Sequence, residues 1–367
     1  MKQIHKTVPM PNDTYIQHYF KNSDIFLDIE TTGFSPKYAF VYLIGIAVQK
    51  DGFIHIYQFL ASNRKEEAEI LTAFHRYLTP GCTLITFNGM GFDIPFLKAR
   101  ENLYSIPGNW ESFYFTDLYK LTSKLSYLLQ LPDKKQKSAE HFLGIHRDDT
   151  FSGGELIEVY YNYEKQQDTS SETLLLLHNY EDVLGMTKLL PLLSYRDLSE
   201  QPLQILQAKI KLLSDSAQDN REQNTKKELT LTLKAPVPFP MPCFCQKPPY
   251  SLTCKEQSAR LTISVLTGEL KYYYDNYKDY YYLPEEDMAI HKSVAAYVDP
   301  AHRKRAAASN CYSKRNGDFL PQKETWFTPC FYSGKKTKDS YFEFTEEFKS
   351  DKIALQKYAA SILQEFF

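Results

Sequence analysis

The sequence predicts an α/β protein in which a mixed sheet flanked by helices is followed by a second, mostly β domain. Three observations predict it. Apolar runs in the first half alternate between strand-like and helix-like periodicity. A polar, glutamine-rich stretch free of aromatic residues interrupts the chain at residues 199–228. Beyond it, period-two alternation returns and predominates. The expected division is therefore residues 1–198, a linker or exposed helix at 199–228, and a β-rich domain at 229–367. A chain of 367 residues is long enough for two domains of ordinary size.

The elements follow in order. DIFLDIE (24–30), FVYLIGIAV (40–48) and FIHIYQFL (53–60), with the turn Lys50-Asp51-Gly52 between the last two, read as three antiparallel strands. Residues 64–78 have helical spacing, Pro80-Gly81 ends the helix, and CTLITFN (82–88) returns to strand, so strand, helix and strand imply a parallel pair. FYFTDL (113–118) reads as a further strand, while KSAEHFLGI (137–145) and residues 171–193 read as helices. In the second half ELTLTLK (228–234) and ARLTISV (259–265) alternate, and Thr267-Gly268 is expected to turn the chain into LKYYYD (270–275). A closing helix is expected from Ser350, with Leu355, Tyr358, Ala359, Ile362 and Phe366 on one stripe.

Composition narrows the function. The formal charge is -2, so no global basic field exists and any polyanion site must be local. The amino terminus lacks the apolar stretch of a signal peptide, and no run approaches the roughly 18 apolar residues needed to span a bilayer, so the expected compartment is the cytoplasm. Six cysteines, Cys82, Cys243, Cys245, Cys254, Cys311 and Cys330, are too few for a disulfide scaffold. The CxC spacing of Cys243 and Cys245 is unlike the paired CxxC of zinc ribbons, which favours small buried thiols over a zinc site. No repeat of fixed period is present.

Chemistry concentrates in acids. Asp28 and Glu30 are two apart on a strand and project from one face, opposite Leu27 and Ile29. A solvated strand end would also produce that pattern. Asp93 follows a turn with two glycines in TFNGMGFDIPFL (86–97), where capping a helix is the plainer role. Asp182 lies four residues after His178 on one helical face, directly after the leucines 174–177. A mostly buried acid there requires a cation. Four carboxylates with a histidine beside the last suit two hard divalent cations, Mg2+ or Mn2+, and the chemistry of phosphodiester hydrolysis.

DIETTG (28–33), NGMGFD (88–93) and HNYEDV (178–183), in that order, resemble the three exonuclease motifs of the DEDD, or DnaQ-like, superfamily over roughly residues 20–195. The closest likeness is to bacterial ribonuclease H-like domain proteins described as 3'-5' exonucleases. The resemblance implies a ribonuclease H-like fold, 3'-5' exonuclease activity on DNA or RNA, two bound metal ions, and Asp28, Glu30, Asp93 and Asp182 as their ligands. It also places Thr31, Thr32, Asn88 and Phe92 by the terminal nucleotide of a single-stranded end. In the superfamily the third motif carries His five residues, or Tyr four residues, before its Asp. This chain has His178 at the tyrosine spacing and Leu177 at the histidine spacing. The expected role of His178 is to position or deprotonate the attacking water. Asp117 is expected to cap the next helix, with an accessory catalytic role as the alternative. The competing reading of the whole chain is a noncatalytic module on the same fold that binds nucleic acid or protein.

Two features of the second half bear on partners. Residues 271–287 hold seven tyrosines, which either follow strand propensity or stack on bases. Residues 302–338 hold nine Lys and Arg against Asp318 and Glu324, a local charge of +7, interleaved with aromatic residues. Such a stretch is either a solvated face or a second handhold for nucleic acid.

Overall fold

In the computed structural model of the chain, residues 1–149, 151, 153–213, 226–335 and 337–367 are described. The first sheet contains β1 (Lys2–Pro9), β2 (Asp24–Thr31), β3 (Val41–Lys50), β4 (Phe53–Leu60), β5 (Thr83–Thr86) and β6 (Tyr114–Asp117), in the order β1-β4-β3-β2-β5-β6. Strands β1 to β4 pair antiparallel. β5 and β6 run parallel to β2, as a helical crossover requires. The expected mixed sheet is present, with β1 added at its edge.

Helices α1 (Thr14–Tyr19), α2 (Glu67–His75), α3 (Asp93–Leu103), α4 (Leu118–Leu125), α5 (Gln136–Phe142), α6 (Gly153–Gln166), α7 (Thr169–Lys188) and α8 (Leu193–Glu200) flank this sheet. Strand alternation sorts β2 between them. Ile25, Leu27 and Ile29 pack with Ile70, Leu71, Phe74, Ile94 and Leu97 of α2 and α3. Phe26 faces the opposite side, in a core with Leu118, Leu121 and Val183. The helix expected over 171–193 ends earlier. Pro191 sits in a 3-10 turn at Leu190–Leu192, and its missing N–H separates α7 from α8.

The second half is built on β7 (Gln204–Leu213), β8 (Lys226–Lys234), β9 (Cys243–Lys247), β10 (Tyr250–Lys255) and β11 (Ser258–Tyr273), with β12 (Tyr280–Leu283), β13 (Met288–His291) and β14 (Lys304–Arg305) in a small separate sheet. β15 (Tyr312–Gln322) and β16 (Ser340–Glu343) complete the large sheet. Helices α9 (Lys292–Ala295), α10 (Glu346–Ser350) and α11 (Lys352–Leu363) accompany them.

Two expectations are corrected. Residues 204–213 are neither linker nor helix but β7, which pairs antiparallel with β8; the part of the expected linker at 214–225 lies outside the described residues. Thr267-Gly268 is not a turn. β11 runs through it for 16 residues, pairing with β8 and β10 over its first part and with β15 from Leu266 onward. Gly268, at φ +152, lies opposite Gly317 within the part paired with β15. The closing helix has the expected stripe buried, with Asp351 rather than Ser350 as its cap.

The two halves share a core. One cluster joins Phe26, Leu125 and Tyr195 to Leu231, Leu252, Tyr358 and Phe366. Tyr195 stacks on Phe239 at 5.0 Å, and Gln130 Nε2 donates to the Phe244 carbonyl at 2.8 Å. Among the described residues no helix is long and apolar enough to cross a membrane.

Candidate active site

β2 is an interior strand of its sheet, and its alternation turns Asp28 and Glu30 toward α7. The register of β2 on β3 shifts between Glu30 and Thr31, immediately after the second acid. Asp93 is the first residue of α3, but its side chain makes no helix cap. Its Oδ1 accepts the Ile29 N–H at 3.1 Å, which draws it to β2 between the two acids. The preceding turn is shaped from behind. Asn88 takes φ +65, and a Cβ on Gly89 would lie 2.4 Å from the Thr86 side chain. Asp117 accepts the Asn88 N–H at 2.8 Å and the Met90 N–H at 3.4 Å while capping α4 through the Tyr119 N–H at 3.0 Å. Asp117 is thus the expected cap and also a brace for the glycine turn.

α7 supplies the rest. His178 Nε2 lies 3.1 Å from Asp182 Oδ2 and 3.5 Å from Glu30 Oε1, and one ligand atom from each of the three residues falls within 4.8 Å of the others. Asn179, one residue on, donates from Nδ2 to Asp28 Oδ2 at 2.8 Å and accepts from Gln58 Nε2 at 2.9 Å. The close approach of Asn179 to β3 requires Gly45, where a Cβ would meet Asn179 Oδ1 at 2.1 Å. His178 Nδ1 lies 2.7 Å from Asp149 Oδ2, and the Arg147 guanidinium bridges Asp182 and Glu140.

Glu30, Asp93 and His178 are buried, while Asp28 and Asp182 keep a partial opening to solvent. Burial, reinforced by Asp182, Glu30 and Asp93, holds the Asp28 carboxyl well above its ordinary range. Burial with Asp182, Asp93 and Asp149 does the same to Glu30. Asp93 is pushed up to about 7, mainly by burial, with Asp117 and Asp182 adding to it. Burial also acts on Asp182, but His178 and Arg147 outweigh it and hold Asp182 below its usual value. Burial works against the His178 charge, yet Asp182, Asp149 and Asp28 prevail and raise it. Acids that resist ionisation beside a group of two carboxylates and an imidazole within 4.8 Å fit a hard divalent cation.

Of the five predicted residues, Glu30, His178 and Asp182 therefore meet, while Asp28 is joined to α7 through Asn179 and Asp93 to β2 through the Ile29 amide. Thr31 and Thr32 lie at the strand exit with their hydroxyls engaged, Thr31 Oγ1 donating to the Gly33 carbonyl at 2.8 Å and Thr32 Oγ1 accepting the Phe40 N–H at 3.1 Å. Phe92 stands between Phe96 and Phe34, and Phe34, not foreseen from the sequence, is 86% exposed. Asn179 was also missed, although its position three residues before Asp182 shares that helical face. Arg147 and Asp149 lie in a segment without periodicity and carried no local signal. All six cysteines are unpaired thiols, and none belongs to a group of three potential metal ligands among the described residues. Cys243 and Cys254 face each other across β9 and β10.

Residues 25–194 match the family model of the RNase H superfamily. No curated protein matches the chain. Among solved structures, the family B DNA polymerase of the hyperthermophilic archaeon Pyrobaculum calidifontis aligns at 18% identity and a TM-score of 0.38, over 49% of this chain and 26% of the polymerase. E. coli exonuclease I in complex with a dT13 oligonucleotide aligns at 13% identity and a TM-score of 0.32, over 58% of this chain and 55% of the exonuclease. This chain thus spans about a quarter of one and about half of the other.

Proposed function

We propose that this chain, whose residues 25–194 match the family model of the RNase H superfamily, is a metal-dependent nuclease that removes nucleotides from the 3' end of DNA or RNA. The observation that supports the reading is the grouping of Glu30, Asp182 and His178 with ligand atoms within 4.8 Å of one another, beside Asp28 and Asp93, whose carboxyls burial and the neighbouring acids push up. Stability alone does not favour such a group of like charges.

The four carboxylates would hold two Mg2+ or Mn2+ ions. When bound, such ions lower the pKa of a water and offset charge at the phosphorus under attack. The chain's own residues do the positioning. Asn179 holds Asp28 by one oxygen, and the Ile29 amide holds Asp93 by one of its own. His178 Nε2 orients the attacking water or takes its proton. Thr31, Thr32, Asn88 and Phe92 border the terminal nucleotide, and the exposed Phe34 ring beside Phe92 offers a face to an unpaired base.

The test is digestion of matched DNA and RNA oligonucleotides with Mn2+, labelled at either end. Removal from the 3' end yields a descending ladder from the 5' label and immediate mononucleotide release from the 3' label. Binding without cleavage would replace this reading with a noncatalytic module, and cleavage of a circular strand would refute the exonuclease.

A further inference from the structure

His178 and Asp182 do not hold their positions alone. The segment 147–149, between α5 and α6, touches α7 at three consecutive functional points. Arg147 grips Asp182, and Glu181 accepts the amides of Asp148 at 3.0 Å and Asp149 at 2.8 Å. Asp149 Oδ2 closes on His178 Nδ1 at 2.7 Å. Asp149 is fixed in turn. Lys137 Nζ donates to its Oδ2 at 3.1 Å and the Phe151 N–H to its Oδ1 at 3.0 Å.

A carboxylate only accepts, so Nδ1–H donates to Asp149, and this contact fixes the plane of the imidazole with Nε2 turned to Glu30 and Asp182. Asp149 adds a fifth acid beside four that already repel one another, and it contributes to the upward push on Glu30. A buried ion pair is commonly matched or bettered by an apolar residue of similar size. The opposite arm of the clamp has its own requirement. A Cβ on Gly185 would lie 2.2 Å from Glu140 Oε1 and 3.2 Å from Arg147 Nη2, so only glycine lets the Glu140–Arg147 pair rest against α7.

Building on the nuclease reading above, we propose that Arg147 and Asp149 are positioning residues: Asp149 fixes the orientation of the His178 ring so that Nε2 faces the reacting centre, and Arg147 fixes the rotamer of Asp182. Neither touches substrate. Removal of such supporting partners typically costs about 10–100-fold in activity or metal affinity.

The experiment uses the full chain with 15N-labelled histidine and Mg2+, the His178 signals being assigned by comparison with His178→Gln. The wild type should show a protonated Nδ1 held in a hydrogen bond. Asp149→Ala should shift the Nδ1 signal from its hydrogen-bonded position and lower kcat by about 10–100-fold with KM retained. Gly185→Ala should lower kcat without altering the His178 signals, because it displaces Arg147 and not Asp149. A wild-type His178 protonated on Nε2 alone overturns the assignment of Asp149 even if every variant fails to fold. So does an Asp149→Ala protein with unchanged signals and rate. An unchanged kcat in Gly185→Ala overturns the role of Arg147. Wild-type protein that cleaves nothing while showing the expected Nδ1 signal removes the nuclease reading and leaves the clamp on His178 standing.

Discussion

Two regions of the molecule are dense in charge, and they differ in what balances it. Around β2, α3 and α7 the acids are drawn inward together, with Arg147 and His178 as their cationic neighbours, and Asp28, Glu30 and Asp93 resist ionisation. In the stretch 302–338 the cations lie near the surface and most find partners. Lys314 pairs with Asp287 at 3.1 Å, Arg315 with Glu343 at 3.0 Å, and Lys323 with Glu365. Arg303 and Arg305 lie over the Tyr281 ring, and Lys335 lies over Tyr273. Three of the nine cations of that segment thus pair with acids brought from elsewhere in the fold, and three more lie over tyrosine rings. Charge that lacks a partner in space, rather than charge dense in sequence, distinguishes the candidate active site from an ordinary surface.

The largest effect expected from that contrast is at Asp28. Asp28→Asn should cost several kcal/mol of transition-state stabilisation, about a thousandfold or more in rate, while raising the melting temperature of metal-free protein because one of several repelling charges is gone. Calorimetry and a rate assay on the same sample check both signs. Next comes pH. Asp28, Glu30 and Asp93 bind protons more tightly in the folded state than in the unfolded chain. Their stabilising contribution is therefore full below about pH 4 and is lost as pH rises, for Asp93 through about 7. Asp182 and Asp149, held low, act oppositely, contributing above about pH 4 and losing that contribution below it. Metal-free protein should thus lose stability between about pH 4 and 7, and the stabilisation by Mg2+ should grow over the same window, reaching about 2.7 kcal/mol at a hundredfold excess over Kd. Thermal melts with and without Mg2+ across that range measure it.

Gly45→Ala should have a smaller effect. It drives Asn179 off Asp28 and Gln58, costing about 1–3 kcal/mol of stability and lowering activity through the loosened carboxylate, as urea titration and the rate assay would show. Smallest is Arg315→Ala. Its exposed pair with Glu343 should shift stability by no more than about 1 kcal/mol and leave kcat unchanged; a large loss would break the contrast between the two regions.

Much of the site was legible because its signals are local. Period two aims Asp28 and Glu30 together, and the four-residue spacing stacks His178 under Asp182. What was not legible depends on contacts between distant segments. Asp149 and Arg147 lie about 30 residues before the side chains they hold, within irregular backbone. β7 was read as a linker because its composition is polar, although Ala208, Ile210 and Leu212 alternate with Lys209 and Lys211 as an edge strand does. Thr267-Gly268 has the composition of a turn, and the tertiary pairing of β11 with β15 carries the strand through it.

The most direct measurement of the central claim is hydrolysis of an end-labelled oligonucleotide by wild type and Asp28→Asn, each assayed with Mg2+ or Mn2+ and with chelator. The account predicts cleavage only by the wild type with metal present. Cleavage that survives chelation or the Asp28→Asn change, or none by folded wild-type protein that binds the metal, would contradict it.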